Sequence, residues 1–207
     1  MNSELFDSGA FAAVPTERHP LEPFLPAGAR VLMLGSFPPP HARWSMEFYY
    51  PNFINDMWRI CGRVFFADQE YFIKAGERRF DRERVVGFCT ERGIALYDTA
   101  TAVRRLKENA ADKFLEVAEP TDVGALLRRI PGCRAVVVTG EKAAGTVMTS
   151  LGKHAGTYPR AGEYTEFDFE GRAMRLWRMP SSSRAYPLAL EKKAALYAGM
   201  FRTEGLL

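Results

Sequence analysis

Val31-Leu32-Met33-Leu34-Gly35-Ser36-Phe37-Pro38 is a short apolar run that stops on a glycine, a hydroxyl and a proline. Uninterrupted apolar residues bounded by a turn signal suit a strand buried on both faces. Three comparable runs follow at Ile94–Tyr97, Ala135–Thr139 and Met174–Trp177. The segments between them have helical spacing. Asn55–Val64 puts Met57, Ile60, Cys61 and Val64 on one face, and Pro120–Ile130 does the same with Val123, Leu126, Leu127 and Ile130. Asp81–Arg92 and Glu141–Leu151 are two further helices, and Leu188–Arg202 closes the chain. Strands alternating with helices predict a parallel sheet covered on both sides. Tyr164–Phe169 alternates polar with aromatic residues, turns at Glu170-Gly171 and resumes at Ala173–Trp177, which is a hairpin signature. The predicted architecture is therefore α/β, a three-layer sandwich around a central, mainly parallel four-stranded sheet with a short C-terminal hairpin. One domain over residues 1–207 fits the length, with 1–30, rich in proline and polar residues, as an irregular lead-in.

Composition narrows the functional classes. No apolar run approaches bilayer length, and the N-terminus pairs no basic start with an apolar stretch, so neither a membrane span nor a secretory signal is expected. Cys61, Cys89 and Cys133 are far apart, and His19, His41 and His154 are equally scattered. This spacing fits a reducing cytoplasm and argues against an iron–sulfur cluster or structural zinc; no metal and no cofactor are expected. From Gly171 to Arg202 seven basic residues (Arg172, Arg175, Arg178, Arg184, Lys192, Lys193 and Arg202) face one acid, Glu191. Such a run reads either as a phosphate-binding face or as an ordinary solvated surface.

In sheets of this type functional residues collect at the carboxyl ends of the strands. Those ends read Gly35-Ser36-Phe37-Pro38, Asp98-Thr99-Ala100-Thr101, Gly140-Glu141-Lys142 and Pro180-Ser181-Ser182-Ser183-Arg184. Small, polar and proline-locked residues at all four suggest a shared cleft. The first of them lacks the glycine spacing of a dinucleotide fingerprint and the Gly-Lys-Ser/Thr of a P-loop.

A dozen residues beyond the first strand comes Phe48-Tyr49-Tyr50-Pro51-Asn52-Phe53-Ile54-Asn55-Asp56-Met57-Trp58. Gly-Ser-x-Pro, then Tyr-Tyr, then Asn-x-x-Trp opening a helix resembles the first motif region of the uracil-DNA glycosylase superfamily. The similarity is greatest to its hypoxanthine-DNA glycosylase and mismatch-specific branches. The resemblance continues in Ile94–Thr99, in Val136–Ala143 and in Met179-Pro180-Ser181-Ser182-Ser183, and so covers roughly Val31 to Phe201.

The resemblance implies a monofunctional DNA glycosylase that flips a deaminated base out of DNA and hydrolyses its glycosidic bond. Gly35, Ser36 and Phe37 would line the base pocket, and their backbone N–H groups could favour the departing anion. Tyr50 matches the aromatic that stacks on the base; its alternative is a core tyrosine. Asn55 matches the asparagine that positions the attacking water, and is equally a good helix cap. Asp98 stands where uracil-specific relatives read the base edge with Asn; its alternative is a turn carboxylate. Pro180, Ser181, Ser182 and Ser183 match the loop that pinches the phosphates, with Arg184 or Tyr186 filling the gap in the base stack and Lys142 touching a phosphate.

Two positions depart from the most active uracil enzymes. Phe37 stands where they have a water-activating Asp, and Met179 where they have a His that stabilises the departing base. An ionised Asp98 accepts hydrogen bonds and cannot donate, which favours hypoxanthine, xanthine or a broad range of substrates. The expected partner is DNA with a deaminated base, bound by a monomer. The competing readings are a catalytically silent damage-binding protein and a small-molecule nucleoside-cleaving enzyme.

Overall fold

The computed structural model describes residues 14–106, 114–151 and 159–207. The first half of the lead-in (1–13) and His154 lie outside them. Strand β1 (Thr16–Arg18) is followed by β2 (Val31–Gly35), a single 3-10 turn at His41–Arg43, and the helices α1 (Met57–Phe66) and α2 (Arg82–Arg92). Strands β3 (Ile94–Asp98), β4 (Ala100–Arg105) and β5 (Leu115–Pro120) come next, then α3 (Val123–Arg129), β6 (Ala135–Thr139) and α4 (Glu141–Ser150). The chain ends with β7 (Glu163–Phe169), β8 (Arg172–Met179) and α5 (Leu190–Thr203).

The main sheet has the order β3-β2-β6-β8-β7, with β3, β2, β6 and β8 parallel and β7 antiparallel at the edge. Every residue of β2, β3 and β6 is buried, as their unbroken apolar runs require. The expected four-stranded sheet is thus a mixed sheet of five. The hairpin does not stand apart: its first strand, β7, extends the sheet. Glu170 and Gly171, both at positive φ (53° and 77°), form the two-residue turn that joins β7 to β8. Glu163, Glu166 and Asp168 on β7 suit a strand left at an edge.

A second sheet, antiparallel with the order β1-β4-β5, was not expected. β1 and a bridge in which Phe24 and Leu96 exchange both backbone hydrogen bonds (3.0 and 2.9 Å) lie within the supposedly irregular lead-in. That reading fails because a three-residue strand, mostly exposed, has no apolar signature of its own; it is ordered by its partner β4.

Connections between parallel strands are right-handed. β2 connects to β3 in one direction across the sheet, whereas β3 to β6 and β6 to β8 run in the other. α1 and α2 therefore cover one face, and α3 and α4 the opposite one. Side chains agree: Phe65 of α1 meets Phe88 of α2 at 4.8 Å and Phe201 of α5 at 4.9 Å. On β8, Arg172 bonds the Leu127 carbonyl of α3, while Trp177, of opposite parity, bonds Glu204 just past α5. β2 and β6 are neighbours whose onward connections part company, so a crevice opens at their carboxyl ends.

Candidate active site

A cavity of about 440 Å³ fills that crevice. Gly35 and Ser36 at the end of β2, Thr139 at the end of β6 and Asp98 at the end of β3 line its floor. Tyr49, Tyr50, Asn52 and Asn55 reach in from the segment before α1, and Ser181, Ser182, Ser183 and Arg184 from the loop after β8. Phe37, Pro38, Leu21, Arg43 and Ile54 complete the wall and mouth.

Tyr50 is half-buried and holds a left-handed backbone (φ 50°), a conformation that bulky residues resist. Its ring stands edge-on to Trp58 at 6.0 Å. Its hydroxyl donates to Thr139 Oγ1 (3.3 Å), since the Thr139 hydroxyl is turned to the Leu34 carbonyl. Burial pushes the Tyr50 phenol well above its ordinary range, so it stays neutral. Tyr50 is therefore both a packed residue and part of the cavity wall.

Asn55 Oδ1 accepts the backbone N–H of Met57 (2.9 Å), which closes the start of α1 and fixes the orientation of the amide. Asn55 stands one residue before the N-cap, Asp56, and its amide still lines the cavity. Asp98 is 7% exposed. Its Oδ2 accepts from His19 Nε2 at 2.9 Å, and its Oδ1 lies so close over Gly35 that any side chain at position 35 would collide with it.

His19 is the residue that sequence reasoning missed. Its backbone N–H donates to the Thr101 carbonyl (2.8 Å), which prolongs the β1–β4 pairing and brings the ring beneath the cavity floor. The ring is 2% exposed and packed by Tyr97 (4.6 Å), Phe37 (5.3 Å) and Tyr49 (6.2 Å). Phe37 is itself buried against Ala100, Val103 and Leu115, and Met179 is fully buried with its carbonyl bonded to the Gly140 N–H. Neither offers an acid or base.

The serine loop is held from below. Buried Asp56 accepts from Lys193 Nζ on Oδ2 (3.1 Å) and from Arg184 Nη2 on Oδ1 (3.2 Å), and its backbone N–H donates to the Ser182 carbonyl (2.9 Å). Lys193 Nζ also donates to the Ser183 carbonyl (2.7 Å). Ser181 Oγ accepts from Ser183 N (3.2 Å), and Ser183 Oγ from Ala185 N (3.3 Å).

Two residues expected at the phosphates are elsewhere. Lys142 Nζ is turned to the Leu115 carbonyl (2.7 Å) on β5. Pro180 is buried outside the cavity lining, and its carbonyl accepts the Tyr197 hydroxyl (2.9 Å). The basic run from Arg172 does not form one face. Lys193 is internal, Arg175 pairs with Glu204 on the α5 side, and Arg172 bonds carbonyls on the α3 side. Exposed Arg43 and Arg184 are the cations at the cavity mouth.

Among the described residues no group of three or more His, Cys, Asp or Glu is placed to hold a metal ion, and no helix is long and apolar enough to cross a membrane.

A solution NMR structure from Methanosarcina acetivorans, described as a candidate uracil DNA glycosylase, superposes over 92% of this chain and 99% of its own, with a TM-score of 0.61 and 20% identity. The two chains share one fold. No family model matches this sequence, and no curated protein does.

Proposed function

We propose that this protein is a DNA glycosylase that excises deaminated bases, hypoxanthine, xanthine or uracil, in base excision repair. One observation carries the reading: Tyr50, Asn55 and Asp98, from three separate stretches of chain, line a single cavity with Ser181–Ser183 and Arg184 at its mouth. The described fold of the M. acetivorans protein supports it.

The serine loop and the mouth arginines would hold phosphates through backbone N–H, hydroxyl and guanidinium groups, without reading sequence. Rotation of the nucleotide into the cavity costs a few kcal/mol, least for a mispaired base. Tyr50 offers a flat face for stacking, worth about 1–3 kcal/mol. Asp98 Oδ1 is an acceptor for a ring N–H of the base. As the C1′–N bond breaks, its electron pair leaves with the base and the sugar becomes oxocarbenium-like. Water then adds its hydroxyl at C1′, and its proton balances the departed base. Asn55 Oδ1 keeps a second lone pair with which to orient that water. A neutral amide is a poor base, but an oxocarbenium needs only a weak nucleophile.

Oligonucleotides bearing uracil, hypoxanthine or xanthine, incubated with the protein and then with alkali, test this directly. Strand scission at the lesion is expected with at least one of them. The apolar burial of Phe37 and Met179 favours one second reading, a damage-binding protein without catalysis. Lesion-selective binding with no scission would establish that reading instead.

A further inference from the structure

Cleavage places negative charge on the departing base, yet the structure puts a carboxylate against the same cavity floor. A bare carboxylate there would oppose the charge as it develops. The ring at position 19 resolves the conflict. Its Nε2 lies 2.9 Å from Asp98 Oδ2, with the two side chains 2% and 10% exposed. Its Nδ1 lies 2.8 Å from the carbonyl oxygen and 3.1 Å from the N–H nitrogen of the same residue, Leu21. A neutral ring with its proton on Nε2 would accept from the Leu21 N–H. A charged ring would donate to the Leu21 carbonyl. The imidazole can therefore gain or lose a proton at Nδ1 without moving and without letting go of Asp98.

We infer that His19 is the proton-holding partner of Asp98, and that the protonated, net-neutral pair is the form of the site that lets a negatively charged base depart. This rests on the glycosylase reading. His19 does not touch the cavity; it acts through Asp98 and is a positioning residue. It does so from a segment with no counterpart to the histidine missing at Met179.

The other titratable groups around the ring leave the pair to dominate. Tyr49 and Tyr97 pack on it, and Tyr50 lies beyond Asp98; burial raises all three phenols, so they remain neutral. Glu22, near Tyr49 and Tyr97, is exposed to solvent, and Arg18 turns outward to Glu119.

The test is single-turnover excision as a function of pH by wild type, His19→Gln, Asp98→Asn and the double variant. Glutamine keeps an N–H donor for Asp98 but cannot carry the charge. Wild-type excision should fall as pH rises, when the pair loses its proton. His19→Gln should excise roughly a hundredfold more slowly with little change in KM, and should lose that alkaline limb. Adding Asp98→Asn removes the uncompensated carboxylate, so the double variant should be faster than His19→Gln alone. A His19→Gln enzyme with the wild-type rate and limb, or a double variant no faster than it, overturns the inference. ¹⁵N NMR of the ring supplies an arm that needs no activity: Nε2 should keep its proton in every form, and Nδ1 should carry one in the net-neutral pair. A ring that keeps one neutral tautomer throughout also overturns it. A titrating ring in a protein that excises no lesion sinks the glycosylase reading and the departure role, and upholds only the proton-holding pair.

Discussion

Tyr50 spends its strain where the cavity needs a flat wall. A tyrosine at φ 50° costs about 1–3 kcal/mol, and the Trp58 ring and Thr139 hydroxyl hold it there. The strain of that position is invisible in sequence, where Tyr50 is singled out only by the motif it matches. The fold separates Tyr49, which is buried and whose hydroxyl donates to the Glu22 carbonyl (2.8 Å), from the half-buried Tyr50, though both border the cavity. Gly35 is constrained differently. A methyl there would run into Asp98 Oδ1, and Asp98 is tied by His19. Gly35→Ala should leave the far-ultraviolet circular dichroism spectrum unchanged and slow excision about a hundredfold, as misplacement of a reacting group by an ångström does. Asp98→Asn should shift preference toward uracil, measured as the ratio of kcat/KM for uracil and hypoxanthine, because an amide can donate to the uracil O4. An unchanged ratio would remove Asp98 from base reading. Burial pushes the Cys61 thiol up to about 12 and the Cys133 thiol to about 11. In the unfolded chain a thiol ionises near 8.5, so the folded state binds these protons more tightly (about 8.5 for a free Cys). Their contribution to stability is full below that value and is lost as pH rises toward the folded values. Urea midpoints should decline from about pH 9 upward, and a flat profile would contradict the burial.

At the scale of elements, the serine loop is positioned by a buried charge cluster rather than by its own turn chemistry. Asp56 is 5% exposed and Lys193 1%, and together they tie the start of α1 to α5 and to the Ser182 and Ser183 carbonyls. Asp56→Ala strands a buried ammonium and should cost about 3–5 kcal/mol in urea unfolding. Asp56→Ala with Lys193→Met should recover much of that stability and leave the loop unanchored, so excision stays low. A single variant as stable as wild type would show that the pair is not needed. Apolar spacing made α1 and α3 legible, and in the fold Asp81 and Asp122 cap α2 and α3. The charge count put Lys193 in a basic run that reads either as a phosphate-binding face or as a solvated surface, because sequence cannot tell which lysine meets a buried acid. β1 and β4 carry no such pattern, and His19 could not be found without them. Its position depends on a pairing between residues 16–18 and 102–104.

At the scale of the molecule, the site lies where topology directs it, at the carboxyl ends of two strands whose connections diverge. Val31–Gly35, Ile94–Asp98 and Ala135–Thr139 announce themselves as buried strands, and their ends were readable as a cleft for that reason. The second sheet was not, because its strands mix exposed and half-buried residues and owe their order to a neighbour, and Tyr164–Phe169 was legible as a hairpin strand but not as an extension of the main sheet. Charge is the least legible property at this scale. The basic run divides between the two faces of β8 and the interior, leaving Arg184 at the cavity mouth beside Arg43, which lies outside the run. On the proposed function, this cavity receives an extruded base and releases it from its sugar. The direct measurement is abasic-site formation under single-turnover conditions by wild type beside Tyr50→Ala and Asn55→Ala. Wild type should convert at least one deaminated lesion, with Asn55→Ala slowed about a hundredfold and Tyr50→Ala weakened by about 1–3 kcal/mol in lesion binding. Conversion by both variants at the wild-type rate would place the chemistry outside this cavity.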